Sequence, residues 1–286
     1  MSNFYIHFFK EKNRSLDMVE VIDFFESLEG FEIEMDEKSV RFIYTHPKLG
    51  YPCAFYITPK SKVPNIQRLS PQYLEVNFHL ELPILSPNYF VKSIIQLVKK
   101  ICDRFNFYVL SEMFEDVLVF NAERIFRVYR MVKKAYLEKY PEKENDYQFI
   151  KEDKLSDILR YIDEKDGLQR YYDDLNTLVP KYYFLKDEQN ISYIATEWKE
   201  HDTIVFPPHL DYILFHGEQG IVKVIDYKLF LNKFGKYLLD VPGFLQDTKV
   251  IPPKLSKKLN RKVKKYKWEP VSKNFTKQNL HVLMDI

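Results

Sequence analysis

The sequence predicts an α+β protein whose sheets are largely antiparallel, and three patterns lead to this prediction. Residues 73–82 alternate strictly between apolar and polar side chains, as a strand with one buried face does. Apolar residues between 91 and 105 recur at helical spacing. Short strand patterns, separated by Pro and Gly, return after residue 180.

These patterns divide the chain into four segments. Two α+β units are expected at 1–120 and 181–250, joined by a helical connector at 121–180 and followed by a basic segment at 251–286. A length of 286 residues suits two domains better than one. The hydrophobic content of 45% is enough to fill two cores.

The first unit opens on a strand, because residues 4–9 carry the pattern of a buried strand. Ser15 is the expected N-cap of a helix over 16–28. Ser86 and Pro87 are expected to begin the second helix, as cap and first helical residue. Further strands are expected at 31–35, 39–45, 51–58, 73–82, 107–110 and 116–120.

The strand at 73–82 also presents a polar face, made of Glu75, Asn77, His79 and Glu81. Alternate side chains on one strand stand about 6.6–6.8 Å apart, which is too far to surround a metal ion at about 2 Å without help from another element. We therefore expect this face to be solvated or covered by a partner. The nearby carboxylates then predict a raised pKa for His79. The opposite face, beginning at Leu74, is expected to be buried.

The connector is predicted to be helical and strongly charged. Asn121 caps its first helix, which Pro141 ends, and a second helix covers 155–165. Between 142 and 174 the chain carries eleven acidic and six basic residues. In the second unit, strands are expected at 182–186, 191–197, 203–206, 212–216 and 221–225, and a helix at 227–239.

Charge separates the basic segment from the rest of the chain. Residues 251–286 hold ten Lys or Arg against two acidic residues, whereas the other residues hold 33 bases and 39 acids. Pro252 and Pro253 predict the start of a helix, and apolar residues then recur at helical spacing from Leu255 to Tyr266. We expect a helix with one apolar stripe and a cationic remainder.

Three partners suit such a helix. Its cations neutralise the phosphates of RNA or DNA in the first case, with two aromatic rings available for stacking. In the second it lies on an anionic membrane surface, although its stripe has few large apolar residues. In the third case the helix docks on the acidic remainder of the same chain, residues 1–250. The protein as a whole then acts as a protein–protein interaction module. The residues expected to bind nucleic acid are Lys254, Lys257, Lys258, Arg261, Lys262, Lys264, Lys265, Tyr266, Lys267 and Trp268.

A metal-dependent hydrolase or phosphodiesterase is the catalytic alternative, and it rests on residues 201–218. The candidate side chains are His201, Asp202, His209 and His216, with Asp211 and Glu218 nearby. Histidine and carboxylate are common metal ligands. The two prolines between His201 and His209 oppose their convergence on a helix, so the pattern is weak.

No motif in the sequence identifies a catalytic activity. Phosphate-loop, dinucleotide-binding, GxSxG, HExxH and CxxC patterns are all absent from it. We therefore expect a non-catalytic binding or regulatory protein that engages nucleic acid and uses no cofactor or metal. Cys53 and Cys102 suit a reduced interior, and no apolar run reaches the ~18 residues of a membrane helix, so a cytoplasmic location is expected.

Overall fold

A computed structural model describes residues 2–12, 17–217 and 220–285, and it confirms the α+β class. The chain forms two compact units. Unit 1 comprises Met1–Tyr147 with Met284–Ile286, and unit 2 comprises Gln148–Leu283. The division falls inside the segment 121–180, so the residues predicted as a connector are shared between the two units.

Unit 1 is built on a six-stranded sheet in the order β2-β3-β4-β5-β1-β6, in which every neighbouring pair is antiparallel. Its strands are β1 (Asn3–Glu11), β2 (Phe31–Met35), β3 (Val40–Thr45), β4 (Pro52–Ile57), β5 (Tyr73–Pro83) and β6 (Tyr108–Ser111). Its helices are α1 (Met18–Glu26), α2 (Asn88–Phe105) and α3 (Ala122–Lys139).

Phenylalanine dominates the core of unit 1. The rings of Phe8 and Phe78 stack at a centroid distance of 4.6 Å, and those of Phe25 and Phe42 at 4.2 Å. All four side chains are buried to 1% exposure or less. Stacked and edge-on ring pairs add to the burial of apolar area, so this cluster joins α1 firmly to the sheet.

The starts of two helices differ from the sequence predictions. Ser15 lies outside the described residues, and Asp17 is the N-cap of α1, where its side chain accepts a hydrogen bond from Val19 N. Helix α2 has Pro87 in the N-cap position and begins at Asn88, one residue later than predicted. Proline has no side-chain acceptor, so another residue has to satisfy the first amides of α2.

That residue is Asp285, which lies far along the chain but belongs to unit 1. Asn88 N donates to Asp285 Oδ2 over 3.0 Å, and Lys133 Nζ of α3 donates to Asp285 Oδ1 over 2.8 Å. Tyr129, one turn before Lys133, donates through its hydroxyl to Ser86 O over 2.7 Å. Helix α3 is therefore an integral part of unit 1.

Strand β5 covers the residues predicted to form it, but not every residue of its apolar face is buried. Phe78, Leu80 and Leu82 are buried as expected, whereas Leu74 is 54% exposed. The register between β1 and β5 shifts between His7 and Phe9 of β1, and Asn77 on the facing part of β5 adopts a positive φ of 53°. Such a bulge bends the strand, so its first half does not continue the buried face.

Unit 2 contains, among its described residues, a five-stranded sheet in the order β13-β12-β10-β9-β16 and a four-stranded sheet in the order β14-β15-β11-β8. Its strands are β7 (Gln148–Ile150), β8 (Thr177–Leu178), β9 (Tyr182–Lys186), β10 (Ser192–Lys199), β11 (Thr203–Phe206), β12 (Tyr212–His216), β13 (Val222–Asp226), β14 (Leu239–Asp240), β15 (Lys249–Val250) and β16 (Thr276–Lys277), while β17 (Leu283–Asp285) crosses the division. Its helices are α4 (Glu152–Tyr172), α5 (Tyr227–Phe234) and α6 (Pro253–Lys265).

The core of unit 2 surrounds Trp198, which is fully buried. The rings of Phe206, Phe215 and Phe230 pack around it at centroid distances of 5.5, 5.0 and 5.8 Å. The indole Nε1 donates to Asp202 O over 3.1 Å, so the polar end of the ring is also satisfied. This cluster extends to the buried side of α6.

Candidate nucleic-acid interface

Helix α6 is held on unit 2 by its narrow apolar stripe. Leu259 and Val263 are fully buried within the core of this unit. Asn260 adds a polar contact, because its Oδ1 accepts a hydrogen bond from His201 N over 3.2 Å. The stripe and this contact together determine which side of the helix faces solvent.

The opposite side of α6 carries cations, which together with Lys267 just beyond the helix we call the basic face. Its eight members are all exposed: Lys254, Lys257, Lys258, Arg261, Lys262, Lys264, Lys265 and Lys267. A helix turns once in 3.6 residues, which puts the buried residues 256, 259, 260 and 263 on one side and the cations of the helix on the other. Seven of the cations predicted from sequence thus share one side of the helix, whereas Lys267 follows its end.

Only part of this charge is balanced by contacts within unit 2. Lys264 Nζ lies 2.8 Å from Glu200 Oε1, and the Glu200 side chain is 6% exposed. Lys257, Arg261 and Lys265 form no hydrogen bond or ion pair through their side chains within the described ranges. The acceptor of this ion pair, Glu200, lies outside the acidic stretch 142–174.

The two aromatic residues predicted to stack on bases are engaged within the protein. Tyr266 and Trp268 are half-buried and pack on Phe234 at centroid distances of 5.8 and 5.9 Å. Trp268 Nε1 also donates to Val263 O over 3.0 Å. Both rings therefore secure the end of α6.

A different ring, Tyr237, lies next to the basic face and was not singled out from the sequence. The ammonium groups of Lys236, Lys258 and Lys262 lie 5.7, 5.8 and 6.0 Å from its centre. Tyr237 is partly exposed in the short turn that follows α5. The only sequence signal is an adjacent Lys-Tyr pair, and its position beside α6 depends on the tertiary fold.

The His and acidic residues between 201 and 218 do not come together. His209 Nε2 lies 2.8 Å from Asp157 Oδ2, and His216 Nε2 lies 3.6 Å from Glu197 Oε1. The His201 side chain is 69% exposed, in a turn. Glu218 lies outside the described residues. Within the described part of the chain, no group of three or more His, Cys, Asp or Glu side chains could hold a metal ion.

The expected rise in the pKa of His79 is wrong. His79 is 1% exposed, and burial lowers its pKa, with the charge of Lys62 acting in the same direction. The contact of 3.3 Å between His79 Nε2 and Glu81 Oε1 opposes this effect without reversing it. The β4–β5 loop covers this face, since Lys62 of that loop pairs with Glu81 at 3.1 Å.

Comparison with known proteins adds no functional information. No protein-family model matches the chain, and neither the curated proteins nor the solved structures compared with it show a significant match. Within the ranges that the structure describes, no helix is long and apolar enough to cross a membrane.

Proposed function

We propose that this protein binds nucleic acid through the basic face of α6 and acts as a non-catalytic binding or regulatory protein. One observation carries the proposal. Lys257, Arg261 and Lys265 occupy successive turns of a docked helix and meet no anion in the described part of the chain.

This arrangement is unfavourable for the isolated protein. Lys257, Arg261 and Lys265 follow one another at intervals of four residues, the spacing at which like charges on a helix repel. Each such pair destabilises a helix by about 0.2–0.5 kcal/mol. A polyanion would remove this repulsion, which supports a phosphate-rich partner.

The dimensions of the basic face also suit a nucleic-acid backbone. From Lys254 to Lys265 the helix rises roughly 16 Å, at 1.5 Å per residue. Duplex DNA carries one negative charge per about 1.7 Å of its axis, so several phosphates lie within this span. Tyr237 and Lys236 extend the surface beyond the helix.

Fluorescence anisotropy with mixed-sequence duplex DNA, single-stranded DNA and single-stranded RNA tests the proposal. We expect binding at 50 mM salt that weakens steeply at 200 mM, because cations displace counterions from phosphates. The triple variant K257Q/R261Q/K265Q should weaken binding and reduce the log–log salt slope on duplex DNA by up to ~2.7, since each phosphate contact contributes ~0.9.

A matched control exists on α2 of unit 1. The variant K99Q/K100Q/R104Q also removes two lysines and one arginine from exposed helix positions, so it has the same net charge as the first variant. Equal weakening by both variants would show a general effect of net charge and contradict a site on α6. No binding of the intact chain at 50 mM salt would leave the protein–protein interaction module as the surviving function.

Substitutions are preferable to truncation after Val250. Deleting 251–286 would remove the buried Ile251, Leu259 and Val263 and the strand β16, which pairs with β9. Loss of binding after such a deletion would report unfolding of unit 2 as readily as loss of the basic face. Lys264 is also left unchanged, because it neutralises the buried Glu200.

A further inference from the structure

A cavity of about 720 Å³ lies in unit 1, on the side of the sheet that carries His7 and Leu110. One wall comes from the β4–β5 loop and the other from the chain that follows β6. Asp116 joins the two walls, because its Oδ1 accepts a hydrogen bond from Ser70 N over 2.9 Å. The cavity is therefore a built feature of the fold, within the usual size range of small-molecule sites.

Two buried polar atoms at this cavity lack partners. His7 is 8% exposed, and its Nδ1 has no hydrogen bond among the described residues. Glu112 Oε1 accepts from Tyr5 N over 3.3 Å, whereas Glu112 Oε2 is buried and unpartnered within the same ranges. A buried polar atom without a hydrogen bond is unfavourable, so a ligand that pairs with both atoms would remove this penalty.

The rest of the lining indicates what else the ligand carries. Arg68 is exposed at the cavity, and its guanidinium has no ion pair among the described residues. A guanidinium binds phosphate or carboxylate through two parallel hydrogen bonds. Tyr5 and Phe114 line the same space and offer ring surfaces to a flat molecule.

We infer that this cavity binds a mononucleotide, with its phosphate on Arg68 and the polar edge of its base at Glu112 and His7. A base has donors and acceptors on its edge and a flat face that stacks on aromatic rings. The phosphate of such a ligand corresponds to Arg68, and the edge of its base to the unpartnered atoms of Glu112 and His7. The face of the base corresponds to the rings of Tyr5 and Phe114.

This inference is independent of the proposed function of α6, because every residue in it belongs to unit 1 and α6 belongs to unit 2. The K257Q/R261Q/K265Q variant should therefore bind mononucleotides as tightly as the unsubstituted chain. A result that contradicts nucleic-acid binding by α6 would therefore not contradict mononucleotide binding by the cavity, and the reverse also holds.

Isothermal titration of the full chain with AMP, GMP, CMP and UMP tests the inference. We expect at least one nucleotide to bind at micromolar to millimolar concentration, and the matching nucleoside to bind more weakly because it lacks the phosphate. Arg68→Gln should weaken the nucleotide roughly tenfold, as loss of one charge-assisted contact does, and leave the nucleoside unchanged. Arg104→Gln, an exposed arginine of α2 away from the cavity, is the matched control and should have no effect.

Glu112→Gln keeps the size of the side chain but changes its hydrogen bonding, and it should weaken nucleotide and nucleoside alike. Its melting temperature, measured beside the titration, verifies that the variant is folded. The inference is overturned if none of the four nucleotides binds, or if Arg68→Gln and Glu112→Gln leave binding unchanged. Inorganic phosphate that binds as tightly as the nucleotides would equally overturn it, since the base would then contribute nothing.

Discussion

Lys133 and Asp285 form a buried ion pair across 152 residues of sequence, with Nζ and Oδ1 2.8 Å apart. The side chains are 3% and 0% exposed. The same carboxylate accepts the backbone N–H of Asn88 at the first turn of α2. Asp285 thus acts both as the counter-ion of α3 and as a substitute for the missing N-cap side chain of α2.

Removing one partner of this pair should destabilise the protein strongly. We expect Lys133→Met to lower the free energy of unfolding by about 3–5 kcal/mol, because Asp285 is left as a buried charge. Urea unfolding measures this change. Lys134→Met is the control on the same helix: Lys134 pairs with Glu138 at the surface, where both side chains are more than 60% exposed, and its loss should cost less than about 1 kcal/mol. Similar costs for the two variants would show that the buried pair adds no special stability.

The apolar stripe of α6 should be essential to unit 2. Leu259→Ala empties a fully buried position and is expected to cost about 2–5 kcal/mol. Leu239→Ala makes the same chemical change in unit 2, at a side chain that is 61% exposed, and should cost much less. Thermal unfolding followed by circular dichroism compares the two. If Leu259→Ala proved as stable as Leu239→Ala, α6 would be only loosely attached in solution.

Arg261 is expected to lower the stability of α6. Lys257, Lys258, Lys264 and Lys265 lie three or four residues from it on the same helix. Arg261→Gln should therefore raise the free energy of unfolding by roughly 1–2 kcal/mol at low salt. At ~1 M salt, where the screening length falls to about 3 Å, the gain should vanish. A gain that persists at high salt would have to come from something other than charge repulsion.

Two groups at the cavity should influence stability in opposite directions as pH changes. Burial lowers the pKa of His7 from 6.5 to about 4, with the charges of His79 and Lys62 adding to the effect and Glu81 opposing it. Between these values the unfolded state binds the extra proton, so the His7 contribution to stability rises with pH. Burial raises the pKa of Glu112 from 4.5 to about 7. The folded state keeps that proton longer, so the Glu112 contribution falls as pH rises through this window.

Single substitutions should separate these two contributions. Between pH 4.5 and 6.5, Glu112→Gln is expected to make stability rise more steeply with pH than in the unsubstituted chain, whereas His7→Asn should make it rise less or fall. Urea unfolding at several pH values gives these slopes, which are independent of any constant loss of stability in a variant. Identical slopes in all three proteins would mean that neither group has a shifted pKa.

Sequence patterns predict the bounds of several strands well, because alternating apolar residues and the turn residues that flank them define each strand. The bounds expected for β2, β9, β11 and β12 are those observed. Two-residue strands such as β8 have no period to detect, and α4 extends beyond the expected 155–165 because its charged residues dilute the apolar stripe. Periodicity also failed to predict the exposure of Leu74, because a bulge around Asn77 interrupts the strand between Glu75 and His79.

The candidate sites show the same limit. The cations of α6 could be predicted from the sequence because they lie close together in it, and a single helix brings them onto one side. His7 and Glu112 are far apart in sequence, and both line the cavity because β1 pairs with β6, the strand that directly precedes Glu112. The burial of His79 depends on the β4–β5 loop, whose path no periodic pattern encodes.

The position of Asp285 also affects how the protein matures during synthesis. Ribosomes add about 5–20 residues per second, so Lys133 leaves the ribosome roughly 8–30 seconds before Asp285 does. Throughout that interval α2 and α3 lack their shared carboxylate, although the six strands of the unit 1 sheet have already been made. We therefore expect the nascent unit 1 to remain accessible to chaperones and proteases until Asp285 has left the ribosome. Only then can its carboxylate bind α2 and α3.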